Sequence, residues 1–106
     1  MEQIKFKILR RAQIITKESD SLDHFFNEHG IDIKQVRKNP DYYEELIMQY
    51  SRNCIAQELF RESRERLEEE INRICDFHRK NEDQLVQQFC DMTKSLMRDK
   101  YREENK

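Results

Sequence analysis

From Asp41 to the last residue the sequence contains neither glycine nor proline. Apolar side chains recur through this stretch at helical spacing: Tyr43, Leu46, Ile47, Tyr50 and Cys54, then Leu67, Ile71 and Ile74, then Leu85, Phe89, Met92 and Leu96. That is the stripe of an amphipathic helix. An unbroken helix from Pro40 to about Glu103 is roughly 95 Å long at 1.5 Å per residue. A compact domain of this chain length has a radius of gyration near 13 Å. The segment ahead of Gly30, about 40 Å long as helix, cannot cover such a rod. Either the rod folds back on itself, or another chain covers it.

The pattern places the fold-back at Arg79–Glu82, where Asn81 followed by Gln84 resembles a capping box. Between Arg61 and Glu70 the stripe thins to Leu67 among charges. Glu62–Arg66 and Glu69–Arg73 there have the favourable i,i+4 order, about 0.3 kcal/mol each, so this stretch is expected to stay helical while solvated. Charged residues make up 40% and hydrophobic ones 36%, with one Gly and one Pro, which favours long helices over a sheet. Net charge is only −2, and six Phe and four Tyr recur along the chain, which argues against general disorder.

The chain therefore reads as one all-α domain over residues 1–106. Its expected parts are a basic amphipathic helix over 1–29, a Gly/Pro corner with a short helical turn over 30–39, and a long helix over 40–80. Residues 81–104 form a continuation or a third helix. A three-helix arrangement and an elongated, coiled-coil-like helical hairpin that dimerises both fit, and the apolar seam on either side of residue 60 makes the dimer the expectation. No run of about 18 apolar residues and no signal-peptide segment is legible. Three cysteines, Cys54, Cys75 and Cys90, lack a disulfide-framework spacing and lie at or near apolar helical positions. This points to reduced thiols in the cytoplasm or nucleus.

Ahead of the corner, Ile4, Ile8, Ala12, Ile15, Leu22 and Phe25 or Phe26 share a helical stripe. Ile4–Ile8 also alternates as a strand does, but no second strand exists to pair with it. A break is expected at Ser19-Asp20-Ser21, residue types that favour caps. Lys5, Lys7, Arg10, Arg11 and Lys17 are opposed only by Glu2 before residue 18. With Ile4, Phe6, Ile8, Leu9, Ile14 and Ile15, they form a basic amphipathic helix of the kind that lies on anionic membranes or grips an acidic partner. The plainer expectation is a stripe packed on the long helix with its cations facing water, the acidic stretch from Glu58 to Glu70 supplying a surface for them.

In the corner, Gly30 is expected to end a helix in the left-handed conformation, Asp32 to cap a short turn from Ile33 to Lys38, and Asn39-Pro40 to start the next helix. Residues 22–39 can also be drawn as a helix-turn-helix reader of DNA, with Lys34, Gln35, Arg37 and Lys38 as nucleic-acid contacts. Asp32, Asp41, Glu44 and Glu45 set negative charge beside that face, and no concentrated basic footprint supports it outside the first 17 residues.

Cys75 and His78 make a single C-x2-H pair, where a structural zinc site shows two. No phosphate loop, nucleophile elbow or paired acid/base cleft is legible, so neither an enzyme nor a cofactor or metal is expected. The expected function is a protein–protein interaction module: an adaptor, assembly subunit or small inhibitor. The contact stripe is Leu46, Ile47, Tyr50, Leu67, Ile71, Ile74, Leu85, Phe89, Met92 and Leu96, with Tyr42, Tyr43, Phe60 and Phe77 as aromatic anchors. The partner is a second copy of the chain, another helical protein, or both. DNA recognition by a dimer is the alternative.

Overall fold

A fold-back does occur, but fifteen residues ahead of its expected place. The computed structural model describes residues 2–18, 20–65 and 67–105, with side chains from Ile4 onward. The helices are α1 (Glu2–Glu18), α2 (Ser21–Glu28), α3 (Ile33–Lys38), α4 (Glu44–Arg64) and α5 (Glu68–Glu104), with a 3-10 turn at Pro40–Tyr43. No strand occurs among the described residues, so the alternation at Ile4–Ile8 resolves as helix.

The expected helix over 40–80 is two helices, because the chain turns at Glu65–Leu67 without glycine or proline. Arg61 and Arg64 occupy the last turn of α4, and Glu68, Glu69 and Glu70 the first turn of α5. Cations at a helix C-terminus and carboxylates at an N-terminus both favour the helix dipole, so these charges punctuate the chain. Leu67 is extended (φ −68°, ψ 156°), and the Glu65 N–H is shared between the Arg61 and Glu62 carbonyls. Continuing the helix here would gain only i,i+4 pairs worth tenths of a kcal/mol. Turning buries Ile74, Leu85 and Phe89 against the chain itself, each worth roughly 1.5–3 kcal/mol. The turn wins.

Of the two expected ion pairs in this stretch, Glu62–Arg66 involves a residue outside those described. Glu69 and Arg73 are both exposed, and no ion pair joins them among the described residues. The expected break at Asn81 is absent: α5 runs through it, and Asn81 Nδ2 donates to the Phe77 carbonyl at 3.1 Å.

α4 and α5 pack antiparallel, with Glu44 beside Lys94 (2.8 Å) at one end and Arg52 beside Asp83 (3.4 Å) further along. α1 lies against both, antiparallel to α4, since Arg11 reaches Glu62 and Glu65 while Thr16 meets Tyr50. The last turns of α5, beyond the start of α4, are covered by α3 and the 3-10 turn. The extents are 50 × 25 × 22 Å and the radius of gyration 14.9 Å, so the rod is sheltered within one chain.

At the corner, Gly30 has φ 71° and the Ile31 N–H bonds back to the Phe26 carbonyl at 2.9 Å, the helix-ending arrangement expected for it. Asp32 Oδ1 accepts from the Lys34 N–H at 3.0 Å, as expected of a cap. The break after α1 is also found. Ser19 lies outside the described residues, and Asp20 takes a left-handed φ of 54°, which its short polar side chain tolerates. Asn39 makes no side-chain cap, however; Pro40 opens a 3-10 turn and α4 starts only at Glu44. The acids there instead anchor α5. Asp41 receives both bonds from Arg98 Nη2 (2.8 and 2.7 Å), which holds its carboxyl below the usual range. Glu44 holds Lys94, whose ammonium is kept protonated to higher pH chiefly by that hydrogen bond.

The core gathers Ile8 and Ala12 of α1, Phe26 of α2, Val36 of α3, Ile47, Ile55 and Leu59 of α4, and Leu85, Val86, Phe89 and Met97 of α5. Cys90 is buried and Cys54 half-buried, as small hydrophobes are, and burial pushes both thiols up; Cys75 instead faces water. Tyr50 reaches the junction of α1, α2 and α4, its hydroxyl 2.6 Å from Ser21 Oγ and 3.0 Å from Thr16 Oγ1. Thr16 gives its one proton to the Ala12 carbonyl (2.9 Å), so Tyr50 donates to Thr16 and Ser21 to Tyr50.

Burial pushes the Tyr50 phenol up to about 12 from its ordinary 10.0, against the lowering effect of the Ser21 and Thr16 bonds. The folded state thus keeps this proton longer than the unfolded chain. The stability it supplies is complete below pH 10 and is lost as pH rises through about 12. In Tyr50→Phe the last phenolate step, followed by absorbance near 295 nm, should vanish, and urea midpoints at pH 9 and pH 11 should converge relative to the parent. An unchanged titration would place the phenol in water.

Candidate interaction surface

α1 presents four sides, each with a different job. Its floor, Ile8 and Ala12, is fully buried. Towards α4, Lys7 Nζ and Arg11 Nη1 both lie 3.3 Å from Glu62 Oε2, and Arg11 Nη2 lies 3.0 Å from Glu65 Oε2. Glu62 is completely buried between them. The Arg11 hydrogen bond holds the Glu65 carboxyl below the usual range. These are the cation contacts to the acidic 58–70 stretch that the sequence suggests.

Towards α5, α1 leaves a shallow groove lined by Lys5, Phe6, Leu9, Gln88, Asp91 and Met92. Gln88 Oε1 is buried there with no hydrogen-bond partner among the described residues. The outer side carries Phe6, Arg10 and Ile14 in one i, i+4, i+8 row, flanked by Lys17. Phe6 is 66% exposed and Ile14 42%. Lys5, Arg10 and Lys17 are in no ion pair with a described residue, although α1's other two cations are fully engaged.

The residues expected to form a partner stripe are distributed otherwise. Ile47, Tyr50, Ile74, Leu85 and Phe89 are buried within the chain, and Leu46, Ile71, Met92 and Leu96 are half-buried. Leu67, 78% exposed, sits in the α4–α5 turn rather than on a helix face. Met92 alone among the ten lines the groove beside α1. Five of the ten are therefore covered from within the chain, while Leu46, Leu67, Ile71, Met92 and Leu96 keep exposed surface. Of the expected anchors, Tyr42 and Phe60 are exposed, while Tyr43 and Phe77 pack against the core.

Among the alternative nucleic-acid contacts, Lys34, Gln35 and Lys38 are exposed on α3. Arg37 points inward instead, only 8% exposed. Its guanidinium is held by Asp23 (3.2 Å) and Glu104 (3.5 Å), tying α3 to α2 and α5. His78 is half-exposed, with Nε2 at 2.9 Å from Glu82, and no group of three His, Cys, Asp or Glu side chains converges among the described residues. No described helix is long and apolar enough to cross a membrane. Compared with protein-family models, curated proteins and solved structures, the chain matches none of them.

Phe6, Leu9 and Ile14 were read in the basic amphipathic helix but left out of the contact stripe, because the long helix drew that assignment to itself. The available signal was their position on the helical wheel, away from Ile4, Ile8, Ala12 and Ile15.

Two buried acids on α4 test how α1 is held. Glu58 is 1% exposed, its Oε1 meets only the half-exposed Arg61 at 3.7 Å and its Oε2 has no hydrogen-bond partner among the described residues, whereas Glu62 meets two α1 cations. Glu58→Met is expected to raise stability by about 1–2 kcal/mol by removing an uncompensated buried oxygen. Glu62→Met is expected to lower it by about 1–3 kcal/mol by stranding Lys7 and Arg11. Urea denaturation of the two variants should move the midpoint in opposite directions; equal losses would show that Glu58 is as well partnered as Glu62.

Proposed function

We propose that this chain is a helical protein–protein interaction module, acting by binding rather than catalysis. Its docking face is the outer side of α1 together with the groove between α1 and α5. The carrying observation is Phe6: an aromatic side chain left 66% exposed on a helix that is otherwise fastened down by Ile8, Ala12, Lys7 and Arg11. Exposed aromatics beside a groove are the side chains that anchor interfaces. The groove between two helices is a shape that receives a third. Leu9 and Met92 continue the apolar surface into it.

Relative to the stripe expected from the sequence, the contact surface moves from the long helix to α1, with Met92 shared. An adaptor, assembly subunit or small inhibitor remains the class of role. DNA recognition through residues 22–39 has less support, because Arg37 is consumed by Asp23 and Glu104 and α3 spans only Ile33–Lys38.

Phe60 supplies an internal control, since it is exposed to the same 66% but lies under the Arg64 guanidinium on the far side of α4. A photo-crosslinking phenylalanine at position 6 is expected to capture a discrete protein partner in native extract, and the same residue at position 60 is not. Identical capture patterns from the two positions, or none from either, would contradict the assigned face.

A further inference from the structure

The charges around Phe6 specify what should cover it. Residues 2–18 contain five cations (Lys5, Lys7, Arg10, Arg11, Lys17) against Glu2 and Glu18, a net +3 in a chain of net −2. Lys7 and Arg11 are spent on Glu62 and Glu65. Lys5, Arg10 and Lys17 are in no ion pair with a described residue and lie on the same helix as the two exposed apolar side chains Phe6 and Ile14; the one acid lining the groove is Asp91, which accepts from Gln87 Nε2 at 3.0 Å. We infer that this face docks an acidic amphipathic helix of a different protein, its apolar residues on Phe6 and Ile14 and its carboxylates on Lys5, Arg10 and Lys17. This rests on the docking role proposed above.

Two other occupants fit the same face less well. A second copy of the chain would pack α1 against α1 about a two-fold axis. With the axis at Arg10, Phe6 meets Ile14 of the copy, but the two Arg10 side chains oppose each other. Like charges set face to face are penalised at an interface. A bilayer is disfavoured by the order of the row. Arg10 lies between Phe6 and Ile14, so an inserted face would carry a guanidinium at its centre, where an interfacial helix needs a continuous apolar arc. A partner helix can meet that guanidinium with a carboxylate, in the bidentate geometry arginine favours.

The test uses the full chain, immobilised, against a phage-displayed library of helical peptides with randomised surface positions. Enriched peptides are expected to carry Asp or Glu flanking apolar residues at i, i+4 spacing. Each should lose about tenfold or more in affinity for the variant Arg10→Glu plus Lys17→Glu. A peptide with its acids changed to Lys should recover binding to that variant, a rescue that mere loss of fold cannot produce.

Enrichment of neutral or basic peptides that still depend on Phe6 would overturn the acidic partner and leave the docking face standing. Enrichment no different from that on Phe6→Asp would remove both. Sedimentation of the native chain with phosphatidylserine–phosphatidylcholine vesicles, lost in Arg10→Glu, would make a membrane the occupant. A dimer dissociated by Phe6→Asp would make it a second copy. Either result overturns the inference.

Discussion

Everything in this fold depends on the turn at Glu65–Leu67. Without it, α4 and α5 form one rod whose apolar side has nothing of its own chain to rest on. With it, Ile47, Ile55 and Leu59 of one helix and Ile74, Leu85 and Phe89 of the other are buried within a single chain. The turn is made without glycine or proline, where the stripe thins and the local charges favour a helix end followed by a helix start. Its driving force is remote from it. Several buried side chains at roughly 1.5–3 kcal/mol each outweigh the few tenths that continued helix would add.

Once the hairpin exists, the remaining elements have defined places. α1 fills the trough between α4 and α5, with its register set by the buried carboxylate of Glu62. α2, α3 and the 3-10 turn close the end where α5 outruns α4, fastened by Arg37 to Asp23 and Glu104 and by Arg98 to Asp41. Tyr50 joins three helices through one chain of hydroxyls. For the proposed interaction role, the consequence is that α1 is fastened to the hairpin through Ile8, Ala12, Lys7 and Arg11. Two of its cations are consumed in holding it, and the outward row of Phe6, Arg10 and Ile14 is left to solvent. A helix already fastened in place loses less freedom on binding than a free one, which favours the proposed role.

Much of this was legible in the residues themselves. Gly30, Asp32 and the Asp20 region mark their boundaries with local chemistry, and local chemistry is what a sequence displays. The all-helical class followed from composition and spacing. The break at 65–67 was hidden because a run of mixed charge reads equally as a solvated helix face or as the end of one helix and the start of the next. Asn81 and Gln84 imitate a capping box, yet the burial of Leu85 and Val86 just beyond holds the helix straight. Asn39 misled in a smaller way, because the acids after it were drawn to Lys94 and Arg98 on α5, contacts about 50 residues distant. That α1 is basic and amphipathic was legible, but which of its sides stays open was hidden for the converse reason. Which side of an amphipathic helix remains open is decided by what packs against it, and that depended on the missed turn.

The most direct measurement is a distance within one chain. Spin labels at positions 52 and 83, on a background lacking the three native cysteines and diluted with unlabelled protein, report whether α4 and α5 lie side by side. The hairpin places Arg52 and Asp83 in contact at 3.4 Å, so labels there should sit on the order of 10–20 Å apart, as on neighbouring helices. A continuous helix would hold them about 46 Å apart at 1.5 Å per residue, and that value would contradict the account.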